Sequence, residues 1–259
     1  VTGRLFFFIF FFIGFLLSSM GCVRHQIDET NFGINPTRRG YVPARIALTS
    51  CVVWPDRATR IKGVPMINRP KDEIISICED FDKYVADGFD NQPYMKGLSP
   101  KLVEKLYTAA GLNPSIPDTI IQEWRSLAND CQDCDNLPTF YNQSIRSRAS
   151  WQIWLTKFSN ATKGSDAIMI PFLLSANTRI EDDRGVWQSI RGGALAILLI
   201  DTNDGSLVWS GGRETDVIYK ALVNTTSKSE LKEPPLEDLK RRLLTDALWL
   251  EFPGRQIYR

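Results

Sequence analysis

The sequence predicts an α/β (α+β) fold, a mixed sheet covered by helices in a single domain with an irregular insertion. Three observations predict it. Ala194 to Ile200 is nearly all apolar, as suits a central strand buried on both faces. The turn-dense string Asp201-Thr202-Asn203-Asp204-Gly205 follows, and Leu207-Val208-Trp209 returns, which makes a hairpin. Helical stripes lie before and after these strands. The order strand, helix, helices, three strands, helix points to a mixed sheet, not to a run of parallel crossovers.

Ordered structure is expected to start at Arg45-Ile46-Ala47-Leu48 and to continue as one strand through Cys51-Val52-Val53-Trp54, stopping at Pro55-Asp56. Lys71 to Phe89 reads as a helix, since Ile74, Ile77, Cys78, Phe81, Val85 and Phe89 recur at three- and four-residue steps. Ser99-Pro100 is a helix cap and first position, and Gly111 closes that helix. The insertion, about residues 113–141, is broken by Pro114, Pro117 and Pro138 and holds one short helix over Ile120 to Ala128. Ser150 to Phe158 is a further helix with Trp151, Trp154, Leu155 and Phe158 on one face. Ala167 to Leu173 is a strand, followed by the hairpin strands. A last long helix begins near Pro234-Pro235 with Leu236, Leu239, Leu243, Ala247 and Leu250 as its buried stripe.

The amino-terminal segment carries a different signal. Arg4 is followed by a 13-residue apolar run, Leu5 to Leu17, then Ser18-Ser19-Met20-Gly21 and Cys22. A charged start, a short apolar middle and a small residue before the cut are the parts of a secretory signal. The run is shorter than the roughly 20 apolar residues of a spanning helix. Residues 1–21 are therefore expected to be a signal peptide. Residues 22–41 are polar and aperiodic, as suits a tether, and 42–259 form the folded body. Without residues 1–21 the chain has 30 basic and 30 acidic side chains. That balance favours neither nucleic acid nor an anionic surface as the main partner.

Gly21-Cys22 after the apolar run resembles the lipobox of bacterial lipoprotein signal peptides. The resemblance implies cleavage before Cys22, its modification by acyl chains including palmitate, and, with Val23 next, an outer-membrane destination. Cleavage to a soluble secreted protein and retention of the segment as an anchor are the competing readings. A second resemblance rests on residues 165–210: an Asp-Ala-Ile-Met-Ile-type strand, then Ala194-Leu-Ala-Ile-Leu-Leu-Ile-Asp-Thr-Asn-Asp-Gly-Ser-Leu-Val-Trp209. With the preceding strand and long helix it is similar to a group of bacterial envelope lipoproteins. These include the curli secretion lipoprotein, flagellar outer-membrane lipoproteins, the penicillin-binding-protein activator and the amino-terminal domain of the Tol system's periplasmic protein. The resemblance implies a small α/β domain that works through surfaces in envelope assemblies.

Reactive chemistry is sparsely signalled. The remaining cysteines are Cys51, Cys78, Cys131 and Cys134, an even number that suits disulfides in an oxidising compartment. Cys131 and Cys134, in the polar stretch Asn129-Asp-Cys-Gln-Asp-Cys-Asp-Asn136, read first as a local disulfide. The flanking Asp130, Asp133 and Asp135 disfavour the thiolate that a redox pair needs. Cys51 and Cys78 either pair or are buried thiols. No second cysteine pair completes a zinc site, and the single histidine, His25, lies beside the acylation site, away from any serine–histidine–acid set. Carboxylate pairs such as Glu79-Asp80, Glu181-Asp182 and Glu237-Asp238 read as solvated faces or loops. Asp201 to Gly205 lacks the glycine and glutamate positions of an EF-hand. Gly192-Gly193 and Gly211-Gly212 read as bends or close backbone approaches. The expectation is thus a lipid-anchored, non-enzymatic subunit of a multi-subunit envelope assembly, with no catalytic residue, metal or cofactor. It would be held to the membrane by its lipid and would bind other envelope proteins. The competing expectation is a periplasmic redox or hydrolytic enzyme using Cys131 and Cys134 or carboxylates.

Overall fold

The computed structural model describes residues 33–34, 41–54, 67–89, 95–112, 115–130, 136–220 and 231–254. The signal-peptide and tether assignments lie almost wholly outside them. The strands are β1 (Gly33–Ile34), β2 (Arg45–Leu48), β3 (Val52–Val53), β4 (Lys96–Leu98), β5 (Ala167–Asp183), β6 (Val186–Asp201) and β7 (Leu207–Lys220). The helices are α1 (Lys71–Asp87), α2 (Pro100–Ala109), α3 (Asp118–Asp130), α4 (Leu137–Phe140), α5 (Ala149–Ala161) and α6 (Leu236–Leu243). One seven-stranded mixed sheet runs β1-β7-β6-β5-β2-β4, with β3 also on β5. β5, β6 and β7 form an antiparallel meander, while β2 and β3 join β5 in parallel. The predicted α+β architecture is the one observed.

Side-chain alternation along β5 and β6 sends successive residues to opposite faces. Ile168, Ile170, Phe172, Ala196, Leu198 and Ile200 meet α2, α3, α4 and α5 in one core. Met169, Leu173, Leu195, Ile197 and Leu199 meet α1 and α6 in the other. The first core is aromatic: Trp124 packs edge-on against Trp151 and Trp54, and near-parallel to Phe172. Trp124 and Phe140 come from the irregular stretch 113–141. The described residues of that segment therefore form a wall of the core.

Several boundaries differ from expectation, each for a local reason. The first strand is broken between Leu48 and Val52. Four steps separate those residues, whereas three separate their partners Met169 and Phe172. The surplus residue turns its backbone away: the Cys51 N–H donates to Asp82 Oδ1 at 2.8 Å instead of continuing the ladder. β5 and β6 extend past their apolar runs into polar sequence and close a second hairpin at Arg184-Gly185. Both turn residues have positive φ, 57° and 84°, as a two-residue primed turn requires. Asp182 Oδ1 accepts from the Gly185 N–H at 2.6 Å. Glu181-Asp182-Asp183 thus ends a strand and is no carboxylate pair in a loop.

The last helix stops at Leu243, and a 3₁₀ turn over Asp246–Trp249 re-phases the chain. Leu248 and Trp249 are buried there, Ala247 is half-buried and Leu250 is exposed, contrary to the expected stripe. β4 has only three residues, Lys-Gly-Leu, and no periodicity to announce it. The Ser99 cap is present, its hydroxyl accepting from the Leu102 N–H at 3.4 Å. The close-approach reading of the glycines holds at Gly211, where a Cβ would lie 2.6 Å from the Leu248 carbonyl oxygen.

Trp124 is fully buried among aromatic rings. Trp124→Ala is expected to lower unfolding free energy by about 3–5 kcal/mol, read as a shift in the urea midpoint.

Candidate functional site

Of the site residues expected from sequence, Cys22, Cys131 and Cys134 lie outside the described residues. Cys51 and Cys78, left open between pairing and burial, are joined as a disulfide with Cα atoms 5.4 Å apart. Cys51 sits in the break between β2 and β3, and Cys78 on α1, so the bond ties a sheet edge to the helix above it. Asp82 lies one helical turn after Cys78 and accepts the Cys51 N–H. Burial pushes the Asp82 carboxyl up to about 7, with the Cys51 N–H pulling the other way and Glu79 adding like-charge repulsion.

A second polar constellation lies on the same face of the sheet. Arg69 precedes α1, Glu73 is in its first turn, Arg191 is on β6, and Glu233 precedes α6. Arg69 pairs with Glu73 at 2.9 Å and with Glu233 at 2.6 Å. Arg191 pairs with the same two carboxylates, each at 2.9 Å. The four groups form a closed ring of alternating charge. Thr178 on β5 adds a hydroxyl that accepts from Arg69 and donates to Glu233. The Arg191 side chain is only 6% exposed, so the ring supplies the counter-charges that its burial demands. The Arg69 hydrogen bond, and then the charge of Arg191, hold the Glu73 carboxyl below the usual carboxylate range against partial burial.

Other sequence-level candidates resolve into structure. The Asp201 and Asp204 carboxylates accept from the Asn203 and Ser206 N–H groups of their own turn, at 2.8 Å each. They brace the hairpin, the reading favoured over a calcium loop. Asp80 and Glu237 both pair with Lys240, linking α1 to α6. Among the described residues no cluster of three or more metal-ligating side chains is assembled. Sequence reasoning missed Asp82 and the charged ring. Cys78 and Asp82, like Arg69 and Glu73, are spaced i, i+4 and could have been seen as neighbours. Arg191 could not, because its partners are more than 40 residues away in either direction.

No family model matches the chain, and no curated protein matches its sequence. Several solved structures show some likeness. Lipoprotein GNA1162 from Neisseria meningitidis aligns over 72% of this chain and 89% of its own, at 13% identity and a TM-score of 0.37. The LpoB C-terminal domain from Salmonella enterica aligns over 70% and 87%, at 11% identity and a TM-score of 0.35. The PelC dodecamer from Paraburkholderia phytofirmans aligns over 89% and 100%, at 9% identity and a TM-score of 0.32. With TM-scores this low, these likenesses assign neither fold nor function to this chain.

The ring makes acid stability testable. The Glu73 pKa is depressed in the folded state, so its contribution is present above the ordinary carboxylate pKa and lost as pH falls through the folded value. Arg191→Met is expected to cost about 2 kcal/mol at neutral pH, less than the 3–5 of a fully buried pair, because Arg69 remains and Glu233 is partly open. It should also flatten the decline in urea midpoint as pH falls below the ordinary carboxylate range.

Proposed function

We propose that the chain is a lipoprotein of the bacterial outer membrane, facing the periplasm, that acts as a non-enzymatic structural or accessory subunit of an envelope assembly. The observation that carries this reading is the apolar run of residues 5–17 closing on Gly21-Cys22. Cys22 is the acylated residue, and acyl chains contribute about 0.8 kcal/mol per buried CH₂, so several together hold a protein firmly. The polar stretch after Cys22 spaces the domain from the lipid. The Cys51–Cys78 disulfide supports an oxidising compartment such as the periplasm. Cys131 and Cys134 form a local disulfide in the same compartment. The partners are other envelope proteins, bound through the surface of the α+β domain.

In cells fed labelled palmitate, the wild-type chain should take up label and fractionate with membranes. Cys22→Ala should do neither. Absence of label in the wild type, or label retained in Cys22→Ala, defeats the anchor. Cross-linking followed by affinity purification from membranes should recover stable partner proteins, and a monomer that recovers none defeats the subunit role.

A further inference from the structure

We propose that the Cys51–Cys78 disulfide is a thiol–disulfide exchange site, reduced by a dithiol donor, in which the Asp82 carboxyl gives its proton to the departing sulfur. This goes beyond the envelope role and does not depend on the lipid.

The bond duplicates ties that the native fold already has. On one side of Cys51 the Thr49 N–H donates to the Met169 carbonyl at 3.0 Å, and on the other the Trp54 N–H donates to the Leu173 carbonyl at 2.8 Å. α1 is held independently by buried Ile77, Phe81 and Val85 and by the charged ring at its start. Opening the bond therefore leaves both elements seated. Its contribution to stability lies chiefly in the unfolded chain, where it closes a loop between residues separated by 27 positions.

Both cysteines are only half-buried, at the margin of the core. Asp82 lies beside the bond, its Oδ1 accepting from the Cys51 N–H at 2.8 Å and its Cα one helical turn after Cys78 on the same helical face. Its burial leaves a large fraction of the carboxyl protonated at neutral pH. The charged groups around it are few. Glu79 raises its pKa further, and Lys240 from α6 is committed to Asp80 and Glu237. The stretch from Thr49 to Trp54 has no charged side chain, and β5 presents Met169 and Leu173 to this side.

A thiolate of the dithiol attacks one sulfur and forms a mixed disulfide. The other sulfur leaves with the electron pair of the S–S bond and takes the Asp82 proton. The second thiol of the donor, as thiolate, then attacks the donor sulfur of the mixed disulfide, and the remaining cysteine leaves as a thiolate that takes a proton from solvent. The protein disulfide ends as two thiols and the dithiol as a disulfide, and Asp82 regains its proton from solvent.

The test reduces the folded, full-length chain with dithiothreitol without denaturant, maps each cysteine by differential alkylation and peptide mass, and expresses the rate per dithiothreitol thiolate. In the wild type that rate should fall as pH rises through about 7, because the ionised carboxyl can no longer donate and repels the incoming thiolate. Asp82→Asn should slow the reaction about tenfold below that pH and remove the fall, while Asp82→Glu should restore part of both. Equal rates and profiles in wild type and Asp82→Asn would overturn the proposal. So would reduction that proceeds only at the rate of global unfolding, shown by a steep dependence on urea. Should Asp82→Asn fail to fold, a flat wild-type profile alone overturns it.

Discussion

The antiparallel ladder between β5 and β6 is the constraint on which the rest of the structure depends. It runs from Ala167 and Asp201 to Asp183 and Val186 with one register shift. Both helix layers and every parallel strand on that side are placed by reference to it. A bulge at Leu173/Ser175 switches the alternation midway along β5. Before it, Met169 and Leu173 face α1 and α6; after it, Ala176 and Thr178 do. Without that switch, Thr178 would face away from Arg69 and Glu233, and the ring of charges would lose its contact with β5.

The two halves of the ladder are stabilised in different ways. Near the Asp201 turn, both faces bury apolar side chains, and each layer gains from area removed from water. Toward Arg184-Gly185, helix coverage thins and polar groups take over. Arg179 reaches Glu181 and Asp216 across one face, and Arg191 joins the ring on the other. A buried arginine such as Arg191 adds little net stability compared with an apolar substitute, but removing one partner is costly. It is better understood as fixing which segments meet: the approach to α1, β6 and the approach to α6.

How much of this could be read from sequence follows the range of the forces involved. α1, the Ser99 cap, α5 and the strand cores at 167–173 and 194–200 carry periodicity or turn chemistry within a few residues, and they were recovered. β4 is set by pairing with β2 alone, and three residues hold no pattern. The polar ends of β5 and β6 were missed because Ser175, Asn177 and Gln188 are buried polar residues, and alternation of hydrophobicity is blind to those. The expected stripe on the last helix failed beyond Leu243 because the helix ends there, and burial passes to Leu248 and Trp249. Asp82 and Arg191 became visible only when distant segments were brought together.

The parallel placement of β2 beside β5 has a consequence for the order of assembly. Ile46 pairs with Ala167, and Leu48 with Met169, so the first substantial strand has its partner about 120 positions later in the chain. A polypeptide emerging amino-terminus first, from a ribosome or a translocation channel, presents Arg45–Leu48 long before β5 exists for it to pair with, with only its short partner β4 emerging in between. Non-local pairings of this kind close slowly, and the waiting strand exposes hydrogen-bonding groups and apolar side chains meanwhile. The meander of β5, β6 and β7, built from two adjacent hairpins, can form as soon as it emerges. Folding would then run backward along the chain, with the last strands made serving as the template on which the first is finally laid.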